Sequence, residues 1–165
     1  MLTAKTKTDY DAALERDPYF RNRWHYFSRV QNIAVAMNPQ SILEAGANGF
    51  PLFNGSTTAD RHGDCDACFD LTGDWPFEDD AFDLFIALQV WEHLNGRQAE
   101  AAAEMRRVCR RAILSFPFRW QNKNDATHYN LDDDDFVRWV GVPDRAFTVG
   151  EQTKRRIYVF DGRGD

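Results

Sequence analysis

The run Phe82-Asp83-Leu84-Phe85-Ile86-Ala87-Leu88 is apolar almost without interruption and has the length of a strand. A strand of this composition is buried on both faces, which places it at the centre of a mostly parallel sheet covered by helices above and below. Ser41 to Ala45 and Ala112 to Phe116 are shorter runs of the same kind, the first ended by Gly46-Ala47-Asn48-Gly49 and the second by Pro117. Ser56 to Asp60 and Ala67 to Asp70, with Gly63-Asp64 as the turn between them, add two further candidate strands.

Helical signals flank these strands. Between Pro18 and Met37 the residues Tyr19, Trp24, Phe27, Val30, Ile33, Ala34 and Met37 recur at three- and four-residue steps, until Asn38-Pro39 ends the pattern. Gln98 to Arg110 is rich in good helix formers, with its basic residues at the end where they complement the helix dipole. Leu131 to Val140 predicts another helix, with Asp132 as its cap. Ala146 to Gly150 and Arg156 to Phe160 are strand-like and close enough to pair as an antiparallel hairpin. Strands alternating with helices predict an α/β fold: a Rossmann-like, mostly parallel sheet with helices on both faces and a C-terminal antiparallel hairpin. The 165 residues fit one domain, with a helical segment over 1–38 and an α/β core over 41–162.

A net charge of -6 argues against broad attraction to a nucleic-acid backbone. The polar stretch Met1 to Tyr10 lacks the apolar core of a signal peptide, and no segment has about 18 uninterrupted apolar residues, so a cytoplasmic protein without membrane contact is expected. Cys65, Cys68 and Cys109 cannot all pair within one chain; a disulfide framework is not needed at this size, and a reducing compartment fits best. His62, Cys65 and Cys68 have a spacing that suits zinc, but no fourth Cys or His lies nearby and Cys68 is expected to face the core, so no metal is expected.

In an open α/β sheet, ligands bind beyond the carboxyl ends of the strands. Glu44 to Gly49, Asp60-Arg61, Asp70-Leu71 and Leu88-Gln89 leading to Glu92-His93 all occupy such positions. At these residues the sequence resembles the class I S-adenosylmethionine-dependent methyltransferases, in particular the compact methyltransferase type 11-like branch that lacks long helices between its second, third and fourth strands. The matching pieces are Ile42-Leu43-Glu44-Ala45-Gly46, Asp70-Leu71 leading to Trp75-Pro76-Phe77-Glu78-Asp79-Asp80-Ala81-Phe82-Asp83, and Val90-Trp91-Glu92-His93-Leu94. Leu114-Ser115-Phe116-Pro117 and His128-Tyr129-Asn130 follow in the family's order.

The resemblance implies S-adenosylmethionine as cofactor and a small-molecule methyl acceptor. Gly46 would let the backbone approach the ligand, while Glu44 holds the loop or the ligand's amino group; Ala47 and Asn48 complete the turn. Asp60 would accept hydrogen bonds from the ribose hydroxyls, with Arg61 beside it as a further cofactor-binding residue. Asp70 would take the adenine amino group with Leu71 against the ring, and Ala87, Leu88 and Gln89 would line the methionine arm. His93 and His128 are the candidate proton acceptors, and Tyr129 is a further acceptor-side candidate. Tyr19, Arg23 and Trp24 precede the first core strand and are candidates to fold over the cofactor, Arg23 pairing its carboxylate.

The family pattern has further glycines where this chain has Ala47-Asn48-Gly49-Phe50-Pro51, which motivates an alternative: a catalytically inactive, methyltransferase-like binding or scaffold module. A nicotinamide-dependent oxidoreductase is disfavoured, because Gly46-Ala47-Asn48-Gly49 lacks the glycine arrangement a pyrophosphate needs. The compact chain leaves little room for a substrate domain, so a second copy or a partner subunit could complete the acceptor site.

Overall fold

The computed structural model describes residues 1–120, 131–150 and 154–162. Its elements are β1 (Thr3–Ala4), α1 (Lys7–Arg16), a 3-10 turn (Pro18–Phe20), α2 (Trp24–Met37), β2 (Ile42–Ala45), β3 (Phe53–Asn54), β4 (Thr57–Asp60), β5 (Ala67–Cys68), β6 (Leu84–Leu88), a 3-10 turn (Trp91–His93), α3 (Gln98–Val108), β7 (Ala112–Pro117), α4 (Asp133–Val140), β8 (Arg145–Val149) and β9 (Arg155–Phe160). A seven-stranded sheet runs in the order β5-β4-β2-β6-β7-β9-β8. It is parallel from β5 to β7, and β9 then lies antiparallel to both β7 and β8.

Side-chain alternation along the strands divides the core in two. Leu43, Phe85, Ala87, Leu114, Phe116 and Tyr158 face α3 and α4, where Ala101, Met105, Val108 and Phe136 cover them. Ile42, Leu84, Ile86, Ile113, Ile157 and Val159 face the other way, against Tyr26, Phe27, Val30 and Ala34 of α2. Each of the central strands β2, β6 and β7 is buried on both faces, which is why their sequences read as apolar runs.

The N-terminal segment differs from the single helix expected from Pro18 to Met37. Asp17 and Pro18 set a 3-10 turn, and the regular helix begins only at Trp24 and stops at Asn38 in the left-handed conformation. Ahead of it, within the helical segment expected over 1–38, α1 is a separate helix without its own periodic signal, because it buries only Tyr10 and Ala13; a capping box between Thr6 and Asp9 defines its start. Asp132 caps α4 as expected, and Asp135 completes the box.

Helices do not alternate with strands throughout: none lies between β2 and β6. Where a crossover helix would follow β2, Phe50, Leu52 and Phe53 fill the core against α2 instead. Helices still cover both faces, through α2 on one side and α3 and α4 on the other. The same lack of cover reverses two expectations about the cysteines. Cys68 lies on a two-residue edge strand with nothing packed over it, so it is exposed instead of core-facing, and it forms a disulfide with Cys65. Cys109 is free and buried.

Candidate functional site

Strand order reverses between β2 and β6: after β2 the chain adds β4 and β5 on one side, then returns to place β6 on the other. Loops leaving the carboxyl ends of neighbouring strands diverge at such a switch point and leave a crevice. A cavity of about 470 Å³ lies there, within the range of small-molecule sites. Gly46, Asn48, Asp60, Arg61, Asp70, Leu71, Gln89 and His93 line it, together with Tyr19, His62, Phe69, Val90 and Leu94.

Gly46 ends β2 with φ +68°, and a Cβ built on it would stand 2.4 Å from Val90 Cγ2. Both backbone conformation and space therefore demand glycine here. Asp60 Oδ1 accepts from the Arg61 amide at 2.7 Å, and Asp60 Oδ2 has no hydrogen-bond partner among the described residues. Arg61 Nη2 pairs with Asp70 Oδ2 at 3.0 Å, while Asp70 Oδ1 accepts from the Thr72 amide and hydroxyl. The Thr72 amide, then its hydroxyl, hold the Asp70 carboxyl below the usual carboxylate range, with Arg61 adding to them.

Leu71 is held at the crevice by a chain of contacts that leads to α3. Its carbonyl accepts from Trp75 Nε1 at 3.1 Å. The Trp75 amide donates to Glu104 Oε2, and Arg107 donates to the carbonyls of Trp75 and Phe77 and to Asp79. The hydrogen bonds from Arg107 hold the Glu104 carboxyl down at about 2. The Trp-Pro-Phe-Glu-Asp segment is thus clamped to α3, and Arg107 and Glu104 are members of this site's support that the sequence reading missed. Their spacing of three residues on a helix was the available signal.

Gln89 sits just past β6 at φ 62°, a left-handed backbone that is uncommon outside glycine and worth notice beside a cavity. Ser115 fixes it twice, accepting from the Gln89 amide through its carbonyl at 2.9 Å and from Nε2 through its hydroxyl at 3.0 Å. His93 is half-exposed at the crevice, its Nε2 4.0 Å from Glu92 Oε1.

Other expected residues stand elsewhere. Glu44 is buried and accepts from the amides of Leu52 and Phe53 at 2.6 and 2.9 Å, so it holds the loop that replaces the missing helix; burial pushes its carboxyl up to about 7. Glu44, Ala47 and Leu88 border a pit of about 20 Å³ beside Gly46, walled by Arg23 and Tyr19. The Arg23 guanidinium stacks 3.9 Å from the Tyr19 ring centroid and donates to Tyr26 Oη. Ala87 is 1% exposed and packs in the core away from the crevice, because alternation turns it towards α3. Trp24 packs beside Tyr10. His128 and Tyr129 lie outside the described residues.

Residues 56–112 match a family model described as a methyltransferase domain. The chain aligns with the methyltransferase domain of bacterial CtHen1 at 15% identity and a TM-score of 0.58, covering 82% of this chain and 98% of that one. The fold is that of the class I S-adenosylmethionine-dependent methyltransferases. A SAM-dependent methyltransferase from Aquifex aeolicus aligns at 8% identity with a TM-score of 0.53, over 79% of this chain and 88% of its own. A Pyrococcus horikoshii protein aligns at 13% identity and a TM-score of 0.53, over 86% and 98%. A search of curated proteins gives no match. On this methyltransferase fold, the matched stretch runs from just before β4 to the start of β7 and so contains Asp60, Asp70, Gln89 and His93, while Gly46 precedes it.

Proposed function

We propose that this chain binds S-adenosylmethionine in the crevice and transfers its methyl group to a small-molecule acceptor. The observation that carries the reading is the convergence of Gly46, Asp60, Asp70 and Gln89, from the ends of four strands, on one cavity at the switch point of a methyltransferase fold. The donor set fits the cofactor. Asp60 keeps Oδ2 for a ribose hydroxyl, Asp70 with Leu71 and Phe69 offers a carboxylate beside an apolar wall for adenine, and Arg23 at the pit beside Gly46 suits the methionine carboxylate.

When bound, the cofactor supplies a methyl group on a positively charged sulfur, so the protein's own work is alignment and exclusion of water. Ser115 orients Gln89 at the mouth of the methionine arm. His93, which lines the crevice, is our first candidate to accept a proton from an oxygen or nitrogen acceptor, and His128 is the second. The net charge of -6 favours a small acceptor over a nucleic acid, with a second copy or a partner subunit completing its site. Among the described residues no helix is long and apolar enough to cross a membrane.

Calorimetric titration with S-adenosylmethionine and S-adenosylhomocysteine tests the reading. Saturable binding that Asp60→Ala weakens about tenfold to a hundredfold, the worth of a hydrogen bond to a charged group, supports it. A folded protein that binds neither compound refutes it and leaves a binding or scaffold module.

A further inference from the structure

The cystine Cys65–Cys68 lies at the outer edge of the sheet and, along the chain, between the two carboxylates assigned to the adenosine side of the crevice. Here β5 pairs only with β4, Ala59 opposite Ala67 and Asp60 opposite Cys68. Beyond the pair, the Phe69 amide donates to the Asp60 carbonyl at 2.9 Å, and Asp70 follows directly. The backbone that carries Asp70 is therefore registered against Asp60 through Cys68, while Arg61 and Thr72 hold the Asp70 side chain.

The other ties along this edge are non-covalent: Arg61 pairs with Asp70 at 3.0 Å, and the Phe69 ring packs against Trp75 and Phe77. The Asp66 carboxylate accepts from the Thr58 amide and hydroxyl, both at 2.8 Å, in an exposed position. Exposed hydrogen bonds and ion pairs contribute little net stability, and sheet edges open locally more readily than central strands. The disulfide is the covalent tie among them, joining β5 to the turn that runs back to Asp60; Cys65 Sγ lies 3.9 Å from the Asp60 carbonyl. Cys68 is exposed and Cys65 half-buried, so an attacking thiolate reaches Cys68 Sγ first.

We propose that Cys65–Cys68 is a thiol–disulfide exchange site: oxidised, it clamps the adenosine side of the crevice, and reduced by a dithiol, it releases it. The incoming thiolate bonds to Cys68 Sγ, the Cys65–Cys68 bond breaks, and Cys65 leaves as a thiolate that takes up a proton. The second thiol of the reductant then attacks the mixed disulfide and frees Cys68. Two electrons and two protons pass from the dithiol to the cystine, and the reductant leaves as its own disulfide. The consequence for ligand binding rests on the cofactor reading of the crevice; the clamp itself does not.

Amide hydrogen exchange on the full chain, with and without dithiothreitol, tests the clamp without any ligand. Reduction is expected to speed exchange at Phe69 about tenfold or more, as release of a short covalent loop permits, and to leave Leu114 in the central strand unchanged. Equal Phe69 rates in both states overturn the proposal. The Cys65→Ser/Cys68→Ser double variant is expected to show the reduced rate with and without dithiothreitol; retention of the slow oxidised rate overturns the clamp. In parallel, S-adenosylhomocysteine is expected to bind about tenfold more weakly after reduction. Equal affinities overturn the coupling to the crevice. Absence of binding in both states overturns the cofactor reading, while Phe69 exchange still decides the clamp.

Discussion

Replacing Gly46 by alanine would place a methyl group 2.4 Å from Val90 Cγ2 while the backbone stays at φ +68°. The left-handed conformation costs a residue with a Cβ about 1–2 kcal/mol. Overpacking against the Val90 methyl adds roughly 1–3 kcal/mol. The sum, about 2–5 kcal/mol, is a large part of the roughly 5–15 kcal/mol that holds a domain together. The two contributions can be separated, because Val90 Cβ lies 3.7 Å from the new methyl, an ordinary contact. Truncating Val90 to alanine therefore removes the overlap and leaves the backbone cost. Urea unfolding of Gly46→Ala, Val90→Ala and the double variant should give a double variant more stable than the sum of the singles by about 1–3 kcal/mol. Losses that add to within about 0.5 kcal/mol would refute the assignment of Gly46 to close approach of Val90. S-adenosylhomocysteine titration of the same set adds a second test: affinity that stays low in the double variant means that Gly46 also makes room for the ligand.

Glu44 gives a pH dependence of unusual sign for a carboxylate. Burial raises its folded-state value from 4.5 to about 7, so between these limits the folded state holds the proton more firmly than the unfolded chain. Its contribution is complete below about pH 4.5 and is lost as pH rises through about 7, a change on the order of 3 kcal/mol. Denaturant unfolding between pH 4.5 and 8 should show this fall in wild type and a flatter profile in Glu44→Gln; identical profiles would refute it. On the other face, Arg107→Met should lower stability, because the Trp75 and Phe77 carbonyls lose their guanidinium donor and the Glu104 carboxylate loses its ion-pair partner. It should also weaken S-adenosylhomocysteine binding through Leu71, whereas unchanged unfolding would show that the clamp on the Trp75 segment contributes nothing.

The sequence by itself determined the elements whose signals are local. Ser41 to Ala45, Phe82 to Leu88 and Ala112 to Phe116 read as buried strands, the second of them central, because burial on both faces is written into consecutive residues. Asp132 declared the start of α4 because a cap and its amides are neighbours in the chain. The strand ends then named Gly46, Asp60, Asp70 and Gln89 as candidates, since their places follow from where strands stop. Tertiary structure decided the rest, because each remaining feature depends on residues far apart in sequence. It set Val90 against Gly46, turned Ala87 into the core and gave Glu44 to the amides of Leu52 and Phe53. It also inserted β9 between β7 and β8, and left β5 uncovered so that Cys68 met Cys65 instead of the core. Periodicity records which face of an element is buried; what covers that face is fixed only when the elements pack, and that packing gathered the four strand ends around one crevice.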